Sequence, residues 1–466
     1  MNKFYNWINK TINVLISAFL LLALLSSLYL PAYITNNTYI FVVLVALLVV
    51  FYSVFRRKTK SIINKAITNI NKYSNKQLLL FIVITLCLLK TVYSLIFYFD
   101  PTMSNDVISI YANLVNDFVN NGILNKTIGD SLYALTIHLS LFKVLNIPYH
   151  IGTFIIITVS IVLNYLTFNQ IIGKEKAFIV SLLYSIMPST ILLSFCPTIE
   201  IYVLLYISLN LFVLSKLFNT DSKILKMIYA VLLVIIVFAL RCFGFVGYIL
   251  LVITFVQLLL SDIKVFTRYA LAGVLVVSIL VINIFDGGIS YTWRNDEYLY
   301  QSMLNGSNIE SYGRFVEGYT HNEVEEYLNA NSLDGSHENQ KEAYISSIKD
   351  NYSVLINEPK NLTELLVNKY FVSWSGNHYS VEMLQNNIDI SNFVYYVLLS
   401  FGEIIYVFVL LIGLMSNHSS NNLSIKTSEL ILIFVGIVLL IGESQNKYCL
   451  FMTPLIYVIC LSRSKE

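Results

Sequence analysis

The chain of 466 residues is 56% hydrophobic and only 12% charged, and its 30 Lys and Arg nearly balance 28 Asp and Glu. A soluble domain carries about 25% charged residues. This composition, with a mean hydropathy of +0.69, therefore excludes an ordinary soluble protein and indicates an all-α polytopic membrane protein.

A hydrocarbon core needs about 20 mainly apolar residues per helical crossing, and by that rule about twelve spans begin near Ile12, Ile40, Leu78, Ile151, Ala177, Ile201, Met227, Phe243, Ala270, Phe393, Glu429 and Cys449. The first run reads as a span and not a signal peptide. It lacks a small-residue cleavage site, Leu30-Pro31 follows it, and a second span comes almost at once. Four regions result: 1–77, two spans and a basic loop; 78–285, a transmembrane core with a loop at 100–150; 286–392, a large loop; and 393–466, the C-terminal spans.

Basic residues set the expected orientation. Lys3 and Lys10 precede the first span, and Arg56, Arg57, Lys58, Lys60, Lys65, Lys72 and Lys76 fill the next loop. Lys174, Lys176, Lys216, Lys223, Lys226, Lys264 and Arg268 recur in alternate loops. The positive-inside rule then predicts a plasma-membrane protein with both termini cytoplasmic and with 100–150 and 286–392 outside. The large loop holds sixteen acidic residues against six Lys or Arg, so the near-neutral total hides a basic inner and an acidic outer surface. That segregation suits membrane lipids as neighbours and argues against a nucleic-acid partner.

Asp100 and Asp106 stand where the apolar run from Leu78 to Phe99 gives out, which puts carboxylates at a membrane surface. From Asp106 to Asn121, Val107, Ile110, Tyr111, Leu114, Val115, Phe118 and Val119 recur with a helical period, and Gly122 ends the stretch. Ser131 to Asn146 repeats the pattern, with Leu132, Leu135, Leu139, Phe142 and Leu145 on one side and His138 and Lys143 elsewhere. Both stretches predict helices lying in the outer interface; a pair of packing helices with solvated acids is the plainer alternative.

Three further groups converge on that face. Glu200 opens the sixth span after Pro197-Thr198, Arg241 ends the seventh, and Glu443-Ser444-Gln445-Asn446-Lys447-Tyr448 forms the turn between the last two spans. Charge at membrane depth costs about 2.5–3.5 kcal/mol on insertion scales, so it is usually paired or functional. Together these groups suit an anionic, lipid-linked substrate. A carboxylate can take a proton from an attacking hydroxyl, while Arg and Lys can hold a phosphate as it leaves. Lys90, near mid-span, is expected to pair with a buried acid, with Glu200 and Glu403 both open as partners.

The large loop alternates turn-rich pieces with helical patterns such as Tyr344, Ile345, Ile348, Tyr352 and Leu355, which predicts a small helical cap. Its aromatics, including Tyr291, Trp293, Tyr300, Tyr312, Tyr319, Trp374 and Tyr379, suit either sugar stacking or packing and interface belts. His321, His337 and His378 are too scattered to predict a metal site. Cys87, Cys242, Cys449 and Cys460 read as small buried hydrophobes.

The run Pro101 to Asp106, then Tyr111-Ala112, Leu114 and Gly122, resembles the first-outer-loop pattern of bacterial polytopic glycosyltransferases of the GT-C fold, the superfamily of protein mannosyltransferases and aminoarabinose transferases. Tyr184 to Leu205 is similar to that family's Pro-containing span followed by an acidic residue. Leu240-Arg241-Cys242-Phe243-Gly244 resembles its Leu-Arg-Pro-x-Gly, with Cys242 in place of Pro. The stretch 358–374 resembles the amphipathic return from the large loop. The stretch 443–454 resembles the closing Glu-x-Gln-x-Arg-Tyr element, with Lys447 in place of Arg.

The resemblance implies a GT-C-like fold and transfer of a sugar from a polyprenyl-phosphate donor to a glycan, teichoic-acid-like polymer or protein at the outer face. Mapped by motif, Asp106 is the general base or acceptor-orienting carboxylate, Glu200 a second acid, and Arg241 and Lys447 the donor-phosphate ligands. Asp100 joins the acids without a matching motif position, and Tyr111, Glu443, Gln445 and Tyr448 line the site. Some members use a divalent metal. Asp100 and Asp106 stand too far apart for an Asp-x-Asp pair, so no metal or other cofactor is assigned. A polysaccharide polymerase or ligase would be expected to rely on Arg and His in the large loop, which here is acidic. A lipid-linked-sugar transporter would favour paired repeats and interrupted helices near the midplane.

Overall fold

The computed structural model describes residues 2–97, 113–120, 130–195, 198–241, 254, 273, 293–314, 316, 318–375, 391–414, 423–442 and 447–463. All regular structure among them is helical. In chain order come α1 (Asn2–Thr35), α2 (Thr38–Ile70), α3 (Asn75–Ile96), α4 (Asp130–Val144), α5 (Tyr149–Ile172), α6 (Lys174–Ile186), α7 (Pro188–Leu193), α8 (Ile199–Asn219) and α9 (Lys223–Arg241). They are followed by α10 (Trp293–Ser307), α11 (Tyr319–Ala330), α12 (His337–Asn357), α13 (Pro359–Trp374), α14 (Asn392–Leu414), α15 (Leu423–Ile441) and α16 (Lys447–Arg463).

Among the described residues, five helices are long and apolar enough to cross a membrane: Lys10–Ala32 within α1, and α3, α5, α8 and α14. They match the runs starting near Ile12, Leu78, Ile151, Ile201 and Phe393. The runs near Ile40 and Cys449 give the shorter apolar helices Thr38–Phe51 and Phe451–Arg463. Those near Met227 and Glu429 fall on α9 and α15, and those near Phe243 and Ala270 lie outside the described residues. The run near Ala177 is broken in two. Met187 is extended (φ −63°, ψ 129°) and Pro188 opens α7, because proline bars the helical conformation at the residue before it and has no N–H to continue the ladder.

Local chemistry sets the other ends. Ser74 and Gln77 form a capping box at α3: Gln77 N–H donates to Ser74 Oγ at 3.3 Å, and Ser74 N–H to Gln77 Oε1 at 2.8 Å. Asn37 caps α2 by accepting from Tyr39 N–H. Inside the apolar helices, hydroxyls donate to the carbonyl one turn back, as Ser26, Thr85, Ser160, Ser208 and Thr453 do. Each of these hydroxyls thereby meets its hydrogen bonding within its own helix.

The main core is contributed by α1, α3 to α9 and α13 to α16. α8 packs on α4, α5, α9 and α16, while α14 and α16 pack on each other. Outward, α2 and α3 expose Val42, Val43, Leu47, Leu80, Phe81 and Leu88, and α9 and α14 expose Met227, Val231, Phe393 and Ile404. Apolar surface on this scale needs a lipid cover, so this is a membrane-embedded helical protein.

A second core of Leu304, Val324, Leu328, Ala343, Tyr344 and Ile348 joins α10, α11 and α12 into a cap. The cap meets one end of the bundle, where Tyr352 of α12 donates to the carbonyl of Ile441, the last residue of α15. At the opposite end Arg463 of α16 donates to Ser17 Oγ and Asn13 O of α1. Lys426 there pairs with Glu429 at 2.7 Å and donates to Asn13 Oδ1 at 3.2 Å. Lys174 binds the carbonyls of Asn71 and Tyr73 at that same end.

Candidate functional site

The helix directions bring three of the expected site positions to the cap side. α8 starts at Ile199 and runs to the opposite end, where Ser215 bonds Gln170 near the end of α5. α9 returns beside α8 and finishes at Arg241. α16 starts at Lys447, five residues after Gly442, and runs to Arg463 at the opposite end. Since α8 packs on both α9 and α16, Glu200, Arg241 and Lys447 occupy the cap-side ends of three packed helices.

Of these, only the Glu200 side chain falls among the described ones. It is 9% exposed in the first turn of α8. The positive end of the helix dipole favours a carboxylate there, which gives Glu200 a stabilising environment as well as a place in the expected site. Lys447 and Tyr448 lie in the first turn of α16 and not in a free turn. Asp100, Asp106, Tyr111, Glu443 and Gln445 lie outside the described residues, as do Tyr291 and Tyr379.

Several expectations change. Lys90 does not pair with Glu403: its ammonium donates to Ser194 Oγ at 2.9 Å and sits 3.0 Å from the Phe195 ring centroid. Both partners follow directly on the broken helix α7, whose carbonyl end favours a cation. Glu403, midway along α14, lies beside Ser27 of α1. Trp374 is no platform for a sugar, since it is 1% exposed and packs edge-on against Phe19 at 4.6 Å. Tyr300 stacks on Tyr344 in the cap core. Cys449 and Cys460 are buried as expected, whereas Cys87 is exposed on α3.

The two amphipathic stretches are helical where described, at 113–120 and in α4. α4 buries Leu135, Leu139 and Phe142, while Leu145, just past its end, is exposed. Its His138 reaches α8, with Nε2 2.6 Å from the Tyr206 hydroxyl and its ring 4.7 Å from that of Tyr202. The one-turn spacing of Tyr202 and Tyr206 was the only sign of this contact in the sequence.

The sequence reading also missed Lys369. It is 1% exposed in α13 and donates to Gly306 O at 2.9 Å and Ile441 O at 3.3 Å. α13 lies outside the five crossing helices, and burial lowers the Lys369 ammonium from 10.5 to about 7. The available signal was its place one turn after Leu365 and one before Ser373, on the stripe that α13 buries.

No protein-family model matches this chain, and comparison with known proteins and with solved structures finds no match.

Proposed function

We propose that this chain is a membrane glycosyltransferase of the GT-C type. In this reading it has about twelve spans of the usual length, both termini in the cytoplasm and the cap outside. It moves a sugar from a polyprenyl-phosphate donor to a cell-surface glycan, teichoic-acid-like polymer or protein. The observation that carries the reading is the set of three helix ends, those of α8, α9 and α16, that bear an acid and two cations on the cap side. The ordered motifs and the basic residues gathered at the end away from the cap support it.

Arg241 and Lys447 hold the donor phosphate through charge-assisted bonds, with Tyr111, Glu443, Gln445 and Tyr448 around it. An acceptor hydroxyl attacks the anomeric carbon. Asp106, with Asp100 or Glu200 as supporting acid, takes its proton, and the bond to the phosphate oxygen breaks. Polyprenyl phosphate leaves, its charge stabilised by the two cations.

The break between α6 and α7 favours a second reading, a lipid-linked-sugar transporter, and one experiment separates the two. Membrane vesicles bearing wild type, Asp106→Asn, Arg241→Ala or Lys447→Ala at equal expression are given a labelled polyprenyl-phosphate sugar pool. Wild type should transfer label, Asp106→Asn should abolish transfer, and the two cation variants should raise donor KM or abolish turnover. No transfer by wild type from any donor removes the enzyme reading, and movement of intact lipid-linked sugar would replace it with transport.

A further inference from the structure

We infer that Lys369 is a positioning residue: it fixes the end of α15, six residues ahead of Lys447 in the chain, against the cap. The inference rests on the glycosyltransferase reading only for what Lys447 binds.

The last four carbonyls of a helix have no partner within it. At this joint, two such carbonyls from different helices, Gly306 of α10 and Ile441 of α15, are met by one ammonium from a third, α13. A fourth helix contributes Tyr352, whose hydroxyl donates to the same Ile441 oxygen at 3.2 Å. Beside Lys369, Asn351 of α12 bonds Ser307 Oγ and the Tyr319 hydroxyl, which ties the end of α10 to α11 and α12 as well. The backbones also meet without a gap. A Cβ added to Gly306 would lie 2.5 Å from Gly442 O, and one added to Gly313 (φ +72°) would lie 2.9 Å from the Lys369 stem. Such contacts do not slide.

The consequence for the site follows from chain length. Gly442 is next to Ile441, and α16 begins at Lys447, so only residues 443–446 separate the joint from the next helix. A residue spans at most about 3.6 Å, so a link of this length bounds how far Ile441 and Lys447 can move apart. The start of α16, which bears Lys447, is therefore tethered to the place that Lys369 gives the end of α15.

Lys369→Met retains the apolar stem and removes the donors, and Tyr352→Phe removes one bond to Ile441 only. In the purified full chain, hydrogen exchange over 302–308 and 438–442 should quicken about 10-fold in Lys369→Met and less in Tyr352→Phe, as the loss of one or two buried hydrogen bonds implies. In sugar transfer, Lys369→Met should raise donor KM about 10-fold with a smaller change in kcat, where a residue that merely stabilised the fold would lower the active fraction at unchanged KM. Unchanged exchange in Lys369→Met overturns the joint; faster exchange with unchanged donor KM overturns the positioning role. If Lys369→Met fails to insert, unchanged exchange in Tyr352→Phe overturns the joint instead. Absence of transfer by wild type would count against the glycosyltransferase reading, while exchange still decides on the joint.

Discussion

A lysine that is 1% exposed has given up nearly all of its hydration. The carbonyl ends of α10 and α15 favour a cation at Lys369, but desolvation outweighs them, and the ammonium loses its proton near pH 7 instead of 10.5. A neutral amine has two N–H donors, and the structure offers it two carbonyls, so both hydrogens are used. With the folded value below the unfolded one, the undocked lysine binds the proton that the docked one releases. Docking should therefore gain stability as pH rises from about 7 towards 10 and lose it as pH falls through 7. For a shift this large in a buried group the change is about 3–5 kcal/mol. Thermal unfolding of the detergent-solubilised protein from pH 6 to 9 should show it as a rise in Tm that Lys369→Met lacks; parallel curves for the two proteins would refute it. At the far end of the bundle a second buried lysine meets a carboxylate instead of carbonyls. Lys426 and Glu429, 7% and 1% exposed, lie 2.7 Å apart, and Asn13 Oδ1 accepts a further hydrogen from the lysine.

Among the elements, α13 links cap and bundle. It meets α12, its Lys369 reaches the end of α10, and it packs on α1, where Tyr370 donates to Phe19 O at 2.9 Å and Trp374 lies against Phe19. The cap is seated by backbone contact as well as by Lys369. Gly306→Ala sets a methyl against Gly442 O and Ile441 O, which are backbone atoms and cannot swing away. The expected result is an inserted protein whose cap is undocked, detected as cleavage within 330–337 at least about 10 times faster than in wild type under limited proteolysis; equal rates would mean that the joint tolerates the shift. How much of this the sequence disclosed depends on the kind of signal. α3, α5, α8 and α14 were legible because a run of about 20 apolar residues has few other readings. The break before Pro188 was present in the sequence, yet apolar content alone made one span of α6 and α7. Lys369 was not legible as a joint, because its partners are carbonyls 63 and 72 residues away in sequence and carbonyls have no sequence signature. Of the expected site, the helix-end positions of Glu200, Arg241 and Lys447 follow from the spans. For Lys90 the sequence named only acids as partners, whereas the serine and the phenyl ring that it meets carry no such signal.

Across the whole molecule, charge is sorted along the bundle axis. The cap side carries Glu310, Glu323, Glu325, Glu326, Asp334 and Glu338, whereas the opposite end gathers Lys72, Lys174, Lys216, Lys223 and Lys226. Within the cap, burial first and the neighbouring Glu326 second raise the Glu323 carboxyl above its ordinary value. A membrane that holds cations on its cytoplasmic side would orient this chain with the cap outside. Two substitutions at exposed positions test the orientation without touching the joint or the expected site. His321 stands 77% exposed beside Glu325 on the cap, and Lys72 is exposed in the turn between α2 and α3 at the other end. In a cysteine-free background, His321→Cys should react with a membrane-impermeant maleimide in intact cells, and Lys72→Cys only after permeabilisation. The reverse pattern would invert the bundle and bring the ends of α8, α9 and α16 to the cytoplasmic face. Donor phosphate would then have to be met from the cytoplasm, and an outward-facing transferase would be excluded whatever the kinetics of Asp106→Asn.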